Sequence, residues 1–375
     1  MGSCKWQLSI KYIVQEYIDT LCVMRGFHDL PTTYSLPRSA MTMWPFSEED
    51  INSLQIGKMV PSSLGVAYWI GTILLATIWF HIFPDNRILL FIASVFYVGL
   101  LGFIDDLQHL NNEKFRSRLR IAKGLNRHCK AFMPLLIALP AFYIVQGPQE
   151  FADFYRHLGT LLNVPPSAIY AIGFGVVCTL SANIYNMLGG LHGLESCSGL
   201  IMFTPLLVLT GFHQMLVGPL LILGALSLLN ALGTVFVSNV GTYSIGASLG
   251  ALGFTMQLEL PLLISFLPHI LNSVLILLSN YLYWDYDTTD NPWTQRNRTD
   301  NGVLLFTPLR NEFRTPRKWH SFTIPLRSTK RYRSLRTLVL SRQEFTTEKQ
   351  VVRSILQYIL LSSAVAMVVG ILVRS

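Results

Sequence analysis

Residues 91–110 read FIASVFYVGLLGFIDDLQHL, an unbroken apolar run that ends in two adjacent carboxylates, Asp105 and Asp106. Extended back to residue 88, such a run has the length and character of a helix that crosses a bilayer. Carboxylates are costly in hydrocarbon and tolerable at its edge. A pair placed where a span surfaces therefore either marks the water boundary or belongs to a site. The rest of the chain decides between these readings.

Outward from this stretch the composition stays membrane-like. Of 375 residues, 51% are hydrophobic and 13% charged, with a mean hydropathy of +0.41. Repeated continuous apolar runs point to an all-α, polytopic transmembrane helical bundle, whereas a membrane β-barrel would show alternation. The five cysteines, Cys4, Cys22, Cys129, Cys178 and Cys197, are scattered without a CxxC pair, which supports neither a zinc site nor a disulfide framework. The net charge of +8 fits basic loops against anionic lipid headgroups better than nucleic acid.

About nine candidate spans follow from the apolar runs: 64–83, 88–104, 131–145, 168–183, 199–211, 216–232, 244–256, 260–282 and 355–373. The domain reading is an N-terminal segment at 1–58, a main bundle at 59–284, a long basic loop at 285–353 and a last transmembrane helix at 354–375. Of the 29 Lys and Arg, seven lie in 106–130 and fourteen in 285–353, while the connections on the other face hold only Arg87 and Arg156. The positive-inside rule makes the basic loops cytoplasmic. Counting spans from there puts 183–196, 230–242 and the long loop on that same face. The sequon at Asn297 then lies in the cytoplasm and stays unmodified. Tyr68, Trp69, Trp79, Tyr281, Tyr283 and Trp284 near span ends read as interfacial anchors.

The polar residues on this face form a candidate site. Asn183 and Asn186, three apart, share a helix face. Their amide oxygens suit a hard cation, and a helix end before Gly189 and Gly190 is the plainer alternative. Gly189, Gly190 and Gly193 would let backbone amides approach a phosphate, or simply form a turn. Lys130 either snorkels to headgroups or meets an anion. Arg314, Arg317 and Lys318 around Pro316 can grip a diphosphate or lie on anionic lipid.

Taken in order, FIDDLQHL, HCKAFMPLLIALP, NIYNMLGGLHGLES and VFVSNVGTYSIGASLGALG resemble the polyprenyl-phosphate N-acetylhexosamine-1-phosphate transferases, and their eukaryotic branch in particular. The resemblance runs from about residue 61 to the C-terminus. It implies transfer of GlcNAc-1-phosphate from UDP-GlcNAc to dolichyl phosphate, giving GlcNAc-diphosphodolichol and UMP. This is the first step of the lipid-linked glycan for N-glycosylation, in the endoplasmic reticulum membrane with the active face cytoplasmic. It also implies Mg2+ as cofactor. Asp105, Asp106 and Lys130 become catalytic candidates. Asn186 and Asn239 become metal ligands. Asn183, Gly190, His192, Gly193, Glu195, Arg314 and Arg317 become substrate-binding residues. Oligomeric state is open, a homo-oligomer included.

The sequence also departs from the family. Ser238-Asn239 stands where the family has Gly-Asp, whose Asp is a principal magnesium ligand. His192 replaces an Asn of the uracil pocket, Phe313 a His, and Ser62 a Glu; residues 111–124 resemble an insertion, and 1–54 holds no counterpart of the family's first span. These departures keep a second reading open, a catalytically silent paralogue that binds nucleotide sugar or polyprenyl phosphate. A multi-span transporter would instead require acids near the bilayer midplane or repeated broken helices, and the sequence offers neither.

Overall fold

The computed structural model describes residues 64–109, 127–145, 153–189, 191, 193–211, 213–232, 235–283, 303–305, 334–340 and 345–374. The segments 1–58 and 111–124 and most of 285–333 lie outside these residues. The chain forms α1 (Gly65–Ile82), α2 (Asn86–His109) and α3 (Arg127–Phe132), then a 3-10 turn (Met133–Ile137) leading into α4 (Ala138–Ile144). It continues through α5 (Asp153–Leu162), α6 (Pro166–Asn186), α7 (Leu194–Leu209), α8 (Val217–Ala231), α9 (Ser238–Thr255), α10 (Glu259–Ser265) and α11 (Leu267–Tyr283). After β1 (Val303–Leu305) come α12 (Leu335–Leu340), β2 (Phe345–Thr347) and α13 (Glu348–Arg374).

Each of the nine apolar segments is helical among the described residues, but they are not nine equivalent spans. Four helices, α1, α2, α6 and α13, are long and apolar enough to cross a membrane. The pair α10–α11, bent by 60°, adds a fifth when taken as one span. The segment at 131–145 is shortened by its own sequence, since Pro134 sits in a 3-10 turn that separates α3 from α4. Helices α7 and α8 are apolar but shorter than a full crossing of about 20 residues. Two features had no counterpart in the hydropathy reading. One is the amphipathic α5 within the connection before α6. The other is an antiparallel pairing of β1 with β2, in register Val303↔Thr347 and Leu305↔Phe345.

The bundle is built around α9. Every residue from Val240 to Thr255 is buried, and the helix packs against α1, α2, α6 and α7. Its sequence, SNVGTYSIGASLGALGFT, explains this position. Small residues let neighbouring backbones approach closely, as they do in membrane helix interfaces. At Gly246 an added Cβ would lie 2.7 Å from both the Ala182 Cα and the Ser181 carbonyl oxygen of α6. At Gly65 it would run into the Val237 carbonyl and the Gly241 Cα. Hydroxyls within α9 donate back one turn, Ser244 to the Val240 carbonyl at 2.6 Å and Ser248 to that of Ser244 at 2.7 Å. These bonds satisfy polar groups without water.

The outer surface carries the opposite pattern. Ile70, Leu74, Ile78 and Ile82, spaced four apart on α1, are 46–59% exposed. A stripe of this kind is the lipid-facing side of a membrane helix. Tyr68 and Trp69, read above as interfacial anchors, are instead core residues at 0% and 8% exposure. The Trp69 indole donates to the Val95 carbonyl at 3.0 Å and covers Gly99, which binds α1 to α2. An aromatic near a span end faces the interface only where no neighbouring helix claims it.

Candidate active site

Three helix ends meet in one cluster, the C-termini of α2 and α6 and the N-terminus of α9, and the last turn of the short α3 adds Lys130. Asp106 closes α2 against α9. Its Oδ2 accepts from the Ser238 hydroxyl at 2.7 Å and the Val240 amide at 2.9 Å, and its Oδ1 from the Asn239 amide at 3.1 Å. The first amides of a helix have no partner within it, and a carboxylate there is also favoured by the helix dipole. Asp106 therefore caps α9 from another helix. Close approach of the two helices depends on Gly102, where a Cβ would lie 2.7 Å from the Asn239 carbonyl oxygen.

Ser238 has φ of +55°, a conformation unusual for any residue but glycine. Asp106 accepts from the hydroxyl of this same residue.

Asp105, 2% exposed, points to the other side. Its Oδ1 is 2.7 Å from the Lys130 ammonium, and its Oδ2 accepts from the Asn239 side-chain amide at 3.0 Å. Lys130 lies in the last turn of α3, and the Tyr97 hydroxyl of α2 holds the following turn by its Met133 carbonyl at 3.0 Å. A small open crevice is lined by Leu101, Asp105, Cys129, Lys130, Met133 and Tyr243. The ammonium has three N–H donors and the Lys130 side chain is 26% exposed, so Asp105 does not exhaust it.

The two asparagines of α6 face the same helix. The Asn186 carbonyl oxygen accepts from the Thr242 hydroxyl at 2.5 Å, and that of Asn183 from the Tyr243 hydroxyl at 3.3 Å. The Asn183 amide also donates to the Thr179 carbonyl at 2.9 Å. Gly193, with φ of +81°, opens α7. Its amide donates to the Asn230 side-chain oxygen at 2.9 Å, which also accepts from the Ser196 hydroxyl at 3.0 Å. The Asn230 amide in turn donates to the Val235 carbonyl at 2.7 Å. Asn230 thus ties the glycine-rich turn to the segment that leads into Ser238. Glu195 is buried in the first turn of α7, its carboxylate so near Gly189 that a Cβ there would meet Oε1 at 2.6 Å.

The structure thus brings Asp105, Asp106, Lys130, Asn183, Asn186 and Asn239 together, with Gly193 and Glu195 on the adjoining turn. Gly190, His192, Arg314 and Arg317 lie outside the described residues. Thr242, Tyr243 and Asn230 escaped the sequence reading. The first two lie three and four residues beyond Asn239, the spacing of one helix face, and Asn230 closes an apolar run as the two α6 asparagines do.

The donor set does not suit a resident magnesium ion. A hard cation needs free anionic or carbonyl oxygens. Here residue 239 is a neutral amide whose nitrogen donates to Asp105, and the other Asp105 oxygen is paired with the Lys130 ammonium. Among the described residues no three His, Cys, Asp or Glu side chains gather as a metal set.

The helices that carry this cluster lie in a stretch that is similar to a known family. Residues 88–257 match Glycosyl transferase family 4. A Saccharolobus solfataricus protein, provisionally named UDP-N-acetylglucosamine–dolichyl-phosphate N-acetylglucosaminephosphotransferase, is 28% identical over 219 residues, 52% of this chain and 61% of that protein. The phospho-N-acetylmuramoyl-pentapeptide-transferase of Oceanobacillus iheyensis is 27% identical over 188 residues, 48% of this chain and 55% of that one. That of Wolbachia pipientis is 24% identical over 279 residues, 69% of this chain and 77% of its own length. The chain thus spans little more than half of the first two relatives.

Proposed function

We propose that the protein is a membrane sugar-1-phosphate transferase that moves GlcNAc-1-phosphate from UDP-GlcNAc to dolichyl phosphate. The observation that carries this reading is the Asp105–Lys130 pair at the lip of a membrane bundle, beside an amide-rich helix junction. In the reaction an oxygen of the lipid phosphate attacks the phosphorus that bears the sugar. A new phosphorus–oxygen bond forms, the bond to the bridging oxygen breaks, and UMP leaves. Both reactants are anions, so alignment and charge neutralisation govern the rate. Lys130 serves as the cation against the phosphates. Asp105 orients Lys130 and stands where a proton of the lipid phosphate can be taken. Asp106 holds the α2–α9 junction rigid beneath them. Arg314 and Arg317 are proposed to grip the diphosphate.

The same reading places the site on the cytoplasmic face of the endoplasmic reticulum membrane and the product at the start of lipid-linked glycan assembly for N-glycosylation. Its names for sugar and lipid come from the resemblance and from the printed name of the Saccharolobus relative.

Asn239 favours a second reading, a protein that binds nucleotide sugar or polyprenyl phosphate without turnover. A transfer assay with labelled UDP-GlcNAc and dolichyl phosphate separates the two. Label reaching the lipid fraction with the native chain supports the transferase. Folded native protein that binds UDP-GlcNAc yet forms no product, with strong transfer by Asn239→Asp, supports the second reading. Absence of both binding and transfer contradicts both.

A further inference from the structure

We infer that the site replaces a resident divalent cation with the protein's own Lys130 ammonium and Asn239 amide, so that in the ligand-free protein no metal ion sits between Asp105 and residue 239. The chemistry of residue 239 carries this inference: an amide there offers Asp105 an N–H donor and brings no charge of its own. Its nitrogen lies 3.0 Å from Asp105 Oδ2. The other Asp105 oxygen meets the ammonium at 2.7 Å, so the carboxylate is neutralised from both sides.

The neighbouring oxygens follow the same pattern. Asp106 accepts from the Ser238 hydroxyl and the amides of residues 239 and 240, and Asn186 from the Thr242 hydroxyl. An aspartate at 239 would create the opposite situation. Two carboxylates about 3 Å apart repel unless a cation or proton lies between them, so Asp at this place demands an ion that Asn makes unnecessary. The single change from acid to amide thus moves the charge balance from metal to lysine. A phosphate then meets Lys130 directly.

The inference rests on reading this cluster as the place where phosphates meet, but its test uses no substrate. The full chain in detergent is titrated with Mn2+, and free ion is followed by electron paramagnetic resonance. The native protein is expected either to leave Mn2+ free or to bind it equally well in native and Asp105→Asn forms. Asn239→Asp is expected to gain one ion, bound on the order of tenfold tighter or more. One Mn2+ bound by the native chain and lost in Asp105→Asn would overturn the inference. Should Asn239→Asp fail to fold, the native and Asp105→Asn pair still decides. A bound ion would leave the transfer proposal standing, and absent transfer would leave this one standing.

Discussion

The two adjacent acids divide their work. Asp106 accepts three hydrogen bonds from the start of α9, whereas Asp105 faces the crevice with Lys130. Removing the Asp106 carboxylate leaves buried amides without an acceptor, and each unpaired group costs about 1–3 kcal/mol. Asp106→Ala is therefore expected to lower stability by about 3 kcal/mol or more, seen as an early thermal unfolding midpoint in detergent. Asp105→Asn keeps an acceptor for Asn239 and leaves the partly exposed Lys130 side chain in reach of water, so it is expected to cost less stability than Asp106→Ala. Equal midpoints for the two variants would contradict this division. The acid pair was legible in the sequence as a site marker. Its split roles were not, because they depend on which way α9 enters, some 130 residues further along the chain.

The packing of α9 is the element on which the site is mounted. Gly246→Val would force a side chain into the α6 backbone at Ala182 and Ser181. Overpacking of this sort costs typically about 1–3 kcal/mol, so the unfolding midpoint should fall clearly. Gly224, on α8, has nothing within 4 Å of an added Cβ. Gly224→Ala should leave the midpoint unchanged or raise it by up to about 1 kcal/mol, the helix-propensity gain. Matching losses in both variants would contradict the central position of α9. Hydropathy found this segment as an apolar run but could not tell a helix wrapped by protein from one bathed in lipid. The small-residue pattern from Gly241 to Gly253 carries that information. The bend of α10–α11 at Phe266 and the break at Pro134 were hidden for a related reason: apolar content reports that a segment avoids water and not that it is straight.

For the whole molecule, the site residues collect at one end of the bundle, and the proposal from the charge asymmetry is that this end faces the cytoplasm. Cys129 is exposed beside Lys130 and reports on this assignment. In sealed vesicles with the cytoplasmic side outward, a variant keeping only Cys129 should react with a membrane-impermeant maleimide without detergent. Labelling only after detergent would reverse the orientation, and glycosylation of Asn297 would do the same. At this scale the membrane character and the gathering of polar helix ends were readable from spacing and charge. The number of true crossings was not, since α3–α4, α7 and α8 are apolar yet short.

The account stands on Asp105 and Lys130 acting as one unit at the phosphates. Its most direct test is a double-mutant cycle on the rate of GlcNAc-1-phosphate transfer, with Asp105→Asn, Lys130→Met and the double variant, each confirmed as folded. Each single replacement is expected to slow transfer by about 10²-fold or more, and the double variant is expected to be no slower than the worse single one. Single variants that keep full rate, or losses that simply multiply, would contradict it.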